Sequence, residues 1–324
     1  MPPNPDWQDI IGTNDGVSSY DVYIRYLAAK KSVDDRALNR YVWQKLKASL
    51  PASTPWKPLS VIELGSGIGT MFERVVEWGL APHIHYTMVD QNAEYLAAFW
   101  SRNGSTRSGQ PRACQEPQTE NIEFAKHLDC TVETVCADLY DVPIDSRRQG
   151  QYDLVIAHAV MDLVDAGEAL SGFAALARPG GLLYLSLIYD GHTEFLPLGE
   201  PEFERELLDR YHLSMDQRVT KGWTSGGSRA ARAMFAHLAA LALPILAVGG
   251  SDWIVYPQAE RYKADEAYFL DMIIETINRQ LKQDATIDSH RLAEWATQRH
   301  AQVKAGKLIL MASNIDFLAC RSAL

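Results

Sequence analysis

The chain has 324 residues, 47% of them hydrophobic, and a formal net charge of −10. That length can bury one large α/β core with elaborations, or two modest ones. The negative charge and the lack of a dense Lys/Arg run disfavour a nucleic-acid partner, whose phosphates need a basic surface. No stretch reaches the roughly 18 unbroken apolar residues of a membrane span. Because the start, MPPNPDWQDI, lacks the basic and apolar regions of a secretory signal, we expect a cytoplasmic protein without a membrane partner.

The first elements expected along the chain are two helices within residues 18–50. The stretch SVDDRALNRYVWQKL has apolar residues at helical spacing, and Ser32 or Asp34 is a plausible N-cap for it. Such a pair can cover a ligand, so residues 1–57 are predicted to form an N-terminal helical cap. Arg36 could then reach a ligand carboxylate, although an exposed arginine on a helix is commonly just solvated.

An apolar strand with a glycine-rich turn comes next, in VIELGSGIGT at residues 61–70. Gly65 permits a backbone angle that a side chain would forbid, Gly67 leaves out a Cβ that would block a ligand, and Gly69 lets the following helix pack closely. A turn of this kind suits a ligand that contains a nucleotide. Glu63 is a carboxylate inside an apolar strand, which is costly without a partner and so indicates a functional contact.

Two further strands end in carboxylates. HIHYTMVD ends at Asp90, which can accept both hydroxyls of a ribose, and TVETVC leads to Asp138, which can meet the amino group of an adenine. Each has a structural alternative, since Asp90 could cap the next helix and Asp138 could only start a turn. Dinucleotide-binding enzymes share the acidic strand end, so these features alone leave the ligand open.

A fourth strand, YDLVIAHAV, precedes a helix that ends in Arg-Pro-Gly-Gly at residues 178–181, and a fifth strand, LLYLSLIYD, follows. Taken in order, E-x-G-x-G-x-G, the two acidic strand ends and the Pro-Gly-Gly turn make residues 58–190 resemble the class I S-adenosylmethionine-dependent methyltransferases. The resemblance implies an α/β fold: a three-layer, Rossmann-like, seven-stranded and mainly parallel sheet with an antiparallel edge strand, an N-terminal helical cap and helical insertions. The core would occupy residues 58–324.

The resemblance also implies that S-adenosylmethionine binds at the carboxyl ends of the strands. The methionine half would lie on the glycine turn, the ribose on Asp90, the adenine on the next strand end and the sulfonium beside His158. A lone histidine at a strand end can equally be a satisfied core group. The residues implied for the methyl donor are Glu63, Gly65, Ser66, Gly67, Asp90, Gln91, Asp138, Leu139, His158 and Ala159.

Acceptor specificity is expected in the insertions near residues 192–225 and 257–305, because the donor site is shared across the fold. Arg229, at the start of a helix, and Trp253, after a glycine pair that interrupts a strand, are candidate acceptor contacts. A surface arginine and a core tryptophan are the ordinary alternatives.

The predicted reaction is direct displacement by an oxygen, nitrogen or carbon of a small-molecule acceptor, helped by positioning and by exclusion of water. For a hydroxyl acceptor, His158, Tyr189 and His192 are candidate bases. No metal site is predicted, since His83 and His85 lack a third ligand nearby in the sequence.

Two other interpretations stay open at this stage. The chain could bind S-adenosylmethionine as a regulatory or scaffold protein without catalysis, or it could be a nicotinamide-dependent oxidoreductase. The oxidoreductase is disfavoured by Thr70 at the sixth position of the turn, by Glu63 and by the segment Ala137-Asp138-Leu139. The oligomeric state is not indicated.

Overall fold

The computed structural model describes residues 19–103, 118–123, 129–220 and 222–322. Helices and strands alternate along most of this part of the chain. The helices are α1 (Ser19–Ala37), α2 (Arg40–Ser49), α3 (Thr70–Glu77), α4 (Ala93–Arg102), α5 (Ala166–Leu176), α6 (Pro201–Asp216), α7 (Ala230–Ala240), α8 (Glu266–Leu281) and α9 (Ser289–Lys304). The strands are β1 (Leu59–Leu64), β2 (His83–Asp90), β3 (Gln118–Glu123), β4 (Asp129–Cys136), β5 (Tyr152–His158), β6 (Ala177–Leu196), β7 (Val219–Thr220), β8 (Trp223–Thr224), β9 (Ile245–Gly250), β10 (Trp253–Val255) and β11 (Ile309–Cys320).

One large sheet organises the fold, with strand order β10-β11-β6-β5-β1-β2-β4-β3 and β9 also paired to β11. Five neighbouring strands of the sheet run parallel, in the order β6, β5, β1, β2 and β4. The other four, β3, β9, β10 and β11, pair antiparallel with their neighbours. The predicted mainly parallel sheet with an antiparallel edge is confirmed. Within the described residues it has nine strands rather than seven, because β3 adds to one edge and the stretch around the glycine pair forms two strands, β9 and β10.

Alternating side chains of the sheet build a core on each face. In β1, Val61 points into a core shared with α2, α3 and α4, whereas Ile62 and Leu64 point into a core shared with α5 and α7. Helices therefore cover both faces, which gives the predicted three layers. Successive side chains of a strand point to opposite faces of the sheet, so an all-apolar strand needs cover on both faces, and here helices provide it.

A third core lies beyond the sheet and joins α1, α6, α8 and α9. Tyr26 of α1 stacks on Phe269 of α8, with 5.7 Å between ring centroids. The N-terminal helix therefore packs directly against the predicted insertion at 257–305. The domain boundary at residue 57 stays a prediction.

Two local expectations differ from the structure. Ser32 and Asp34 lie inside α1, and Asn39 caps α2 instead by accepting the N–H of Val42 at 3.1 Å. Residues 101–120 are rich in Ser, Gly, Gln and Pro and lack apolar periodicity, which predicts a surface loop, but 101–102 belong to α4 and 118–120 to β3, which continues to Glu123. Residues 104–117 lie outside the described part. None of the helices described here is long and apolar enough to cross a membrane.

Asp316 of β11 fastens the first turn of α2 to the sheet. It is fully buried, and its two carboxylate oxygens accept the N–H groups of Asn39 and Leu187, each at 2.8 Å. Leu187 lies where β6 is irregular, with φ of 52°, so its N–H is not available for regular pairing. A buried backbone N–H without an acceptor destabilises the fold. Asp316 provides an acceptor for two such N–H groups.

We expect Asp316→Ala to lower the free energy of unfolding by about 2 to 4 kcal/mol, because two buried N–H groups lose their acceptor. Urea unfolding measures the change. Asp209→Ala, at an exposed position of α6, is the matched control and should stay within about 0.5 kcal/mol of the parent. Equal losses in the two variants would contradict this role for Asp316.

Candidate functional site

A cavity of about 380 Å³ opens at the carboxyl ends of the parallel strands. It lies where the strand order reverses between β1 and β5, the position at which open α/β sheets bind their ligands. All ten residues that the resemblance assigns to the methyl donor line this one cavity. They come from the carboxyl ends of β1, β2 and β5 and from the turns after β1, β2, β4 and β5, so the sheet brings together residues that lie far apart in the sequence.

Gly67 and Gly69 do different work in the turn after β1. Both have positive φ, 54° and 80°, which disfavours any residue with a side chain. A Cβ on Gly69 would collide with the ring of Phe99 in α4 and would lie 3.0 Å from Met88 Cε in β2. Gly69 thus permits packing against α4 and β2, rather than against β1. A Cβ on Gly67 would meet nothing closer than Leu27 Cδ1 at 3.4 Å, so it would project into the cavity.

Asp90 fixes the glycine turn from the end of β2. Its Oδ2 accepts the N–H of Gly67 and its Oδ1 accepts the N–H of Asn92, both at 2.8 Å. The cap of α4 is Asn92, whose side chain accepts the N–H of Glu94, so the capping interpretation of Asp90 is wrong. Burial raises the pKa of Asp90 to about 6, against the lowering effect of the two N–H donors.

Glu63 borders the cavity from inside β1 and has a partner. The Tyr86 hydroxyl donates to its Oε2 at 2.8 Å, and the carboxyl is 1% exposed. Burial raises the pKa of Glu63 to about 8, and this effect outweighs the opposing hydrogen bond from Tyr86. Glu63 is therefore largely protonated at neutral pH and can donate a hydrogen bond as well as accept one.

Asp138 lies at the turn after β4. Its Oδ1 accepts the N–H of Tyr140 at 2.9 Å, so it does begin a turn, as the structural alternative proposed. Asp138 and the adjacent Leu139 also line the cavity, together with Gln91 from the turn after β2. A turn role and a ligand role are thus compatible at this position.

His158, at the end of β5, has both ring nitrogens engaged. Its Nδ1 is 2.9 Å from Ser186 Oγ, and its Nε2 is 3.2 Å from Asp34 Oδ2 and 3.1 Å from Arg74 Nη1. The pKa of His158 is lowered to about 4, mainly by burial, against the raising effect of the hydrogen bond with Asp34; Arg74 adds to the lowering. The ring is neutral but has no lone pair open to the cavity, which makes His158 a poor candidate for a base.

Asp34 is the centre of this buried charge cluster, which consists of Lys30, Asp34, Arg74 and His158. Lys30 Nζ donates to Asp34 at 2.7 Å and Trp253 Nε1 donates at 3.0 Å, while Arg74 Nη2 is 3.4 Å away. Burial alone would raise the pKa of Asp34, but Lys30, His158 and Arg74 together hold it well below its usual range. The carboxylate is ionised and ties α1 to α3, β5 and β10.

Sequence reasoning missed Lys30, Asp34 and Arg74. The i, i+4 spacing of Lys30 and Asp34 is common on exposed helices, so it gave no sign of burial. Arg74 carried a clearer signal, because it lies three residues after the apolar Met71 and so shares a face of the short helix with it. It is 0% exposed.

Among the weaker candidates from the sequence, Tyr189 and Trp253 line the cavity. Lys30 and Asp34, which were not candidates, line it too. His192 is outside it, with a side chain 61% exposed and its Nε2 3.8 Å from Glu194. Arg36 forms an ion pair with the buried Glu266 of α8, with Nη2 to Oε2 at 3.0 Å.

Arg229 immediately precedes α7 and does not border the cavity either. Within the described residues, no three His, Cys, Asp or Glu side chains are placed to hold a metal ion.

Part of the cavity is lined by residues that the sequence did not indicate, and we call this part the second chamber. Its walls come from α6, α8 and β11 and are mainly apolar, with Tyr211, Met215, Ile277, Leu310 and Ala312 among them. These residues carry no motif, and only tertiary packing brings them together.

Comparisons with known proteins found solved structures but no sequence relative. No protein-family model and no curated protein sequence matches the chain. It is 12% identical to a protein from Bacillus halodurans C-125 that is provisionally described as a methyltransferase, with a TM-score of 0.48, covering 86% of this chain and 98% of that one.

Two structures of named enzymes are also similar. Phosphoethanolamine N-methyltransferase 2 of Haemonchus contortus, solved with S-adenosyl-L-methionine, has 13% identity and a TM-score of 0.42, covering 98% of this chain and 56% of that one. Geranyl diphosphate C-methyltransferase of Streptomyces coelicolor A3(2), solved with S-adenosyl-L-homocysteine, has 11% identity and a TM-score of 0.42, covering 86% and 74%. The chain thus spans about half of the Haemonchus protein. At TM-scores below 0.5, these likenesses do not decide the reaction or the acceptor of this chain.

The raised pKa of Glu63 predicts a pH-dependent stability. Between the ordinary value of 4.5 and about 8, the folded chain binds more protons than the unfolded chain, so the free energy of unfolding falls as pH rises. Glu63→Gln keeps an acceptor for Tyr86 and removes this titration. We expect the variant to gain stability relative to the parent between about pH 5 and about pH 8.

Urea unfolding at the two pH values measures the gain. Glu206→Gln, at an exposed position of α6, is the control and should follow the parent at both. A stability difference for Glu63→Gln that does not change with pH would rule out the proposed ionisation.

Proposed function

We propose that the chain transfers a methyl group from S-adenosylmethionine to a small-molecule acceptor. The observation that carries the proposal is the turn after β1, where Gly67 leaves room toward the cavity and Asp90 holds the Gly67 N–H at 2.8 Å. A ligand can come close to the backbone at Gly67, because no side chain stands in the way. Together with the carboxylate at the end of the neighbouring strand, this suits the methionine and ribose portions of a nucleoside ligand.

The polar groups of the cavity wall fit such a ligand. Ser66 Oγ, Asn92 Nδ2 and Asp162 Oδ1 are buried and have no hydrogen-bond partner among the described residues, and all three residues line the cavity. Buried polar groups in native proteins are almost always paired. S-adenosylmethionine has an ammonium group, a carboxylate and ribose hydroxyls. It therefore offers both the hydrogen-bond acceptors and the hydrogen-bond donors that these three atoms lack.

Each residue has a role under this proposal. Asp90 would accept from the ribose hydroxyls, because each of its oxygens still has a lone pair after accepting one N–H. Asp138 and Leu139 would hold the adenine, and Ser66 would contact the methionine end. When bound, S-adenosylmethionine supplies a methyl group on a positively charged sulfur.

Catalysis in this site would depend on positioning and on dryness. The cavity walls would hold donor and acceptor in contact, and Tyr23, Tyr26 and Leu27 of α1 form part of these walls. Holding two reactants in near-attack geometry supplies much of the barrier reduction without a covalent intermediate. His158 would fix the wall beside the sulfur through its contacts with Asp34 and Ser186 rather than act as a base.

Calorimetric titration tests donor binding directly. We expect heat with S-adenosylmethionine and with S-adenosylhomocysteine, and none with NAD. Asp90→Asn should weaken donor binding about 10- to 100-fold, because it loses a charged acceptor for the ribose hydroxyls. Affinity should also fall below about pH 6, where Asp90 takes up a proton.

Asp209→Asn, at an exposed position of α6, is the matched control and should bind as the parent does. Heat with NAD but not with S-adenosylmethionine would favour an oxidoreductase. Incubation with labelled donor and a metabolite extract then separates an enzyme from a regulatory binder, because only an enzyme moves the label into a new product.

A further inference from the structure

Tyr189 lines the cavity next to the second chamber, and its hydroxyl has two hydrogen-bond partners. Its ring packs with Met215 and Ala312. Its Oη lies 2.7 Å from Thr193 Oγ1 and 2.7 Å from His212 Nε2. Tyr189 and Thr193 line the cavity, whereas His212 stands behind Tyr189 on α6. The side chains of Thr193, Tyr189 and His212 therefore form a hydrogen-bonded chain from the cavity to a residue outside its lining.

His212 is able to receive a proton from this chain. Burial lowers its pKa below the ordinary value of 6.5, so the ring is neutral at pH 7. In the tautomer with a proton on Nδ1, Nε2 accepts from the Tyr189 hydroxyl, and Thr193 donates to Tyr189. The titratable and charged groups that face His212 are Asp209 and Asp216, which raise its pKa, and His192 and Arg229, which lower it. Since the side chain is only partly buried, a proton on it can pass to solvent.

The second chamber favours an uncharged, apolar acceptor. Its wall is formed mainly by aromatic and aliphatic side chains, including Tyr211, Met215 and Leu310. Lys30 is already bonded to Asp34 at 2.7 Å. Burial raises the pKa of Asp162 and so favours its uncharged form, although Arg218 and Lys30 oppose this. Against a mainly apolar wall, an ionic acceptor would lose its hydration with few polar groups to replace it.

We propose that the acceptor is an uncharged, largely apolar molecule that carries a hydroxyl group, and that Tyr189 and His212 remove the proton of that hydroxyl during methyl transfer. This inference rests on the proposed function. The acceptor oxygen forms a bond to the methyl carbon while the carbon–sulfur bond breaks and its electron pair goes to sulfur. The hydroxyl proton passes to Tyr189 Oη, and the Tyr189 proton passes to His212 Nε2. The positive charge lost at sulfur reappears on the imidazolium and leaves to solvent.

A panel of alkylphenols and matched alkylanilines, incubated with labelled S-adenosylmethionine, tests the acceptor class. The two series share shape and neutrality and differ in the nucleophilic atom. We expect label in the phenols only. Methylation confined to the anilines, or no phenol methylated although calorimetry shows donor binding, would overturn this inference and leave the proposed function standing. Absence of donor binding would instead count against the proposed function itself.

Variants test the proton path. Tyr189→Phe keeps the ring and removes the hydroxyl, so turnover of phenols should fall about 10²- to 10⁴-fold with donor affinity unchanged. Tyr41→Phe, at a position 62% exposed, is the matched control and should turn over as the parent does. A parent-like rate in Tyr189→Phe would overturn the relay.

His212→Asn separates a proton-accepting role from a merely structural one. The parent rate should decline in acid as His212 becomes protonated, and this acid limb should be missing from the slower variant. His290→Asn, whose side chain is 82% exposed in the parent, should keep the limb. Because His212 is only partly buried, this variant tests the relay even where Tyr189→Phe perturbs the core. An unchanged acid limb in His212→Asn would contradict the proposal.

Discussion

The buried carboxylate of Asp34 is the interaction on which the arrangement of the cavity depends. It joins a helix of the N-terminal segment to the helix after the glycine turn, to the end of β5 and to the indole of Trp253. Removing one partner from such a buried group leaves an uncompensated charge, which commonly costs about 3 to 5 kcal/mol. The cluster therefore holds α1 over the carboxyl ends of the strands in one position. If α1 could shift relative to the strands, the cavity could not keep two reactants in contact.

The two parts of the cavity arise from different physical causes. One part is made from strand ends and their turns, so its geometry follows from the register of a parallel sheet. The second chamber is made from α6, α8 and β11, which pack through the third core and contribute no motif. This division explains why a fold can keep one ligand site and still accept different partners, because only the second part is free to vary.

The burial of charged and polar groups decides which of them can do chemistry. The ring nitrogens of His158 are committed to Ser186 and to the charge cluster. The hydroxyl of Tyr189 is instead bonded to His212, which is only partly buried. Position along the sequence did not separate these two residues. Their hydrogen-bond partners did, and those partners lie on β6, α1, α3 and α6.

The sequence by itself determined the strands β1, β2, β4, β5 and β6, the glycine turn, the acidic strand ends and therefore the end of the sheet at which a ligand can lie. These features are local or periodic: alternation, turn chemistry and glycine positions act within a few residues. Only the tertiary structure decided that Asp90 holds the turn instead of capping α4, that Arg36 pairs with Glu266 outside the cavity, and that Asp34 is buried among cations. Each of these depends on which distant side chain fills the space beside it, and periodicity along one segment carries no information about that neighbour.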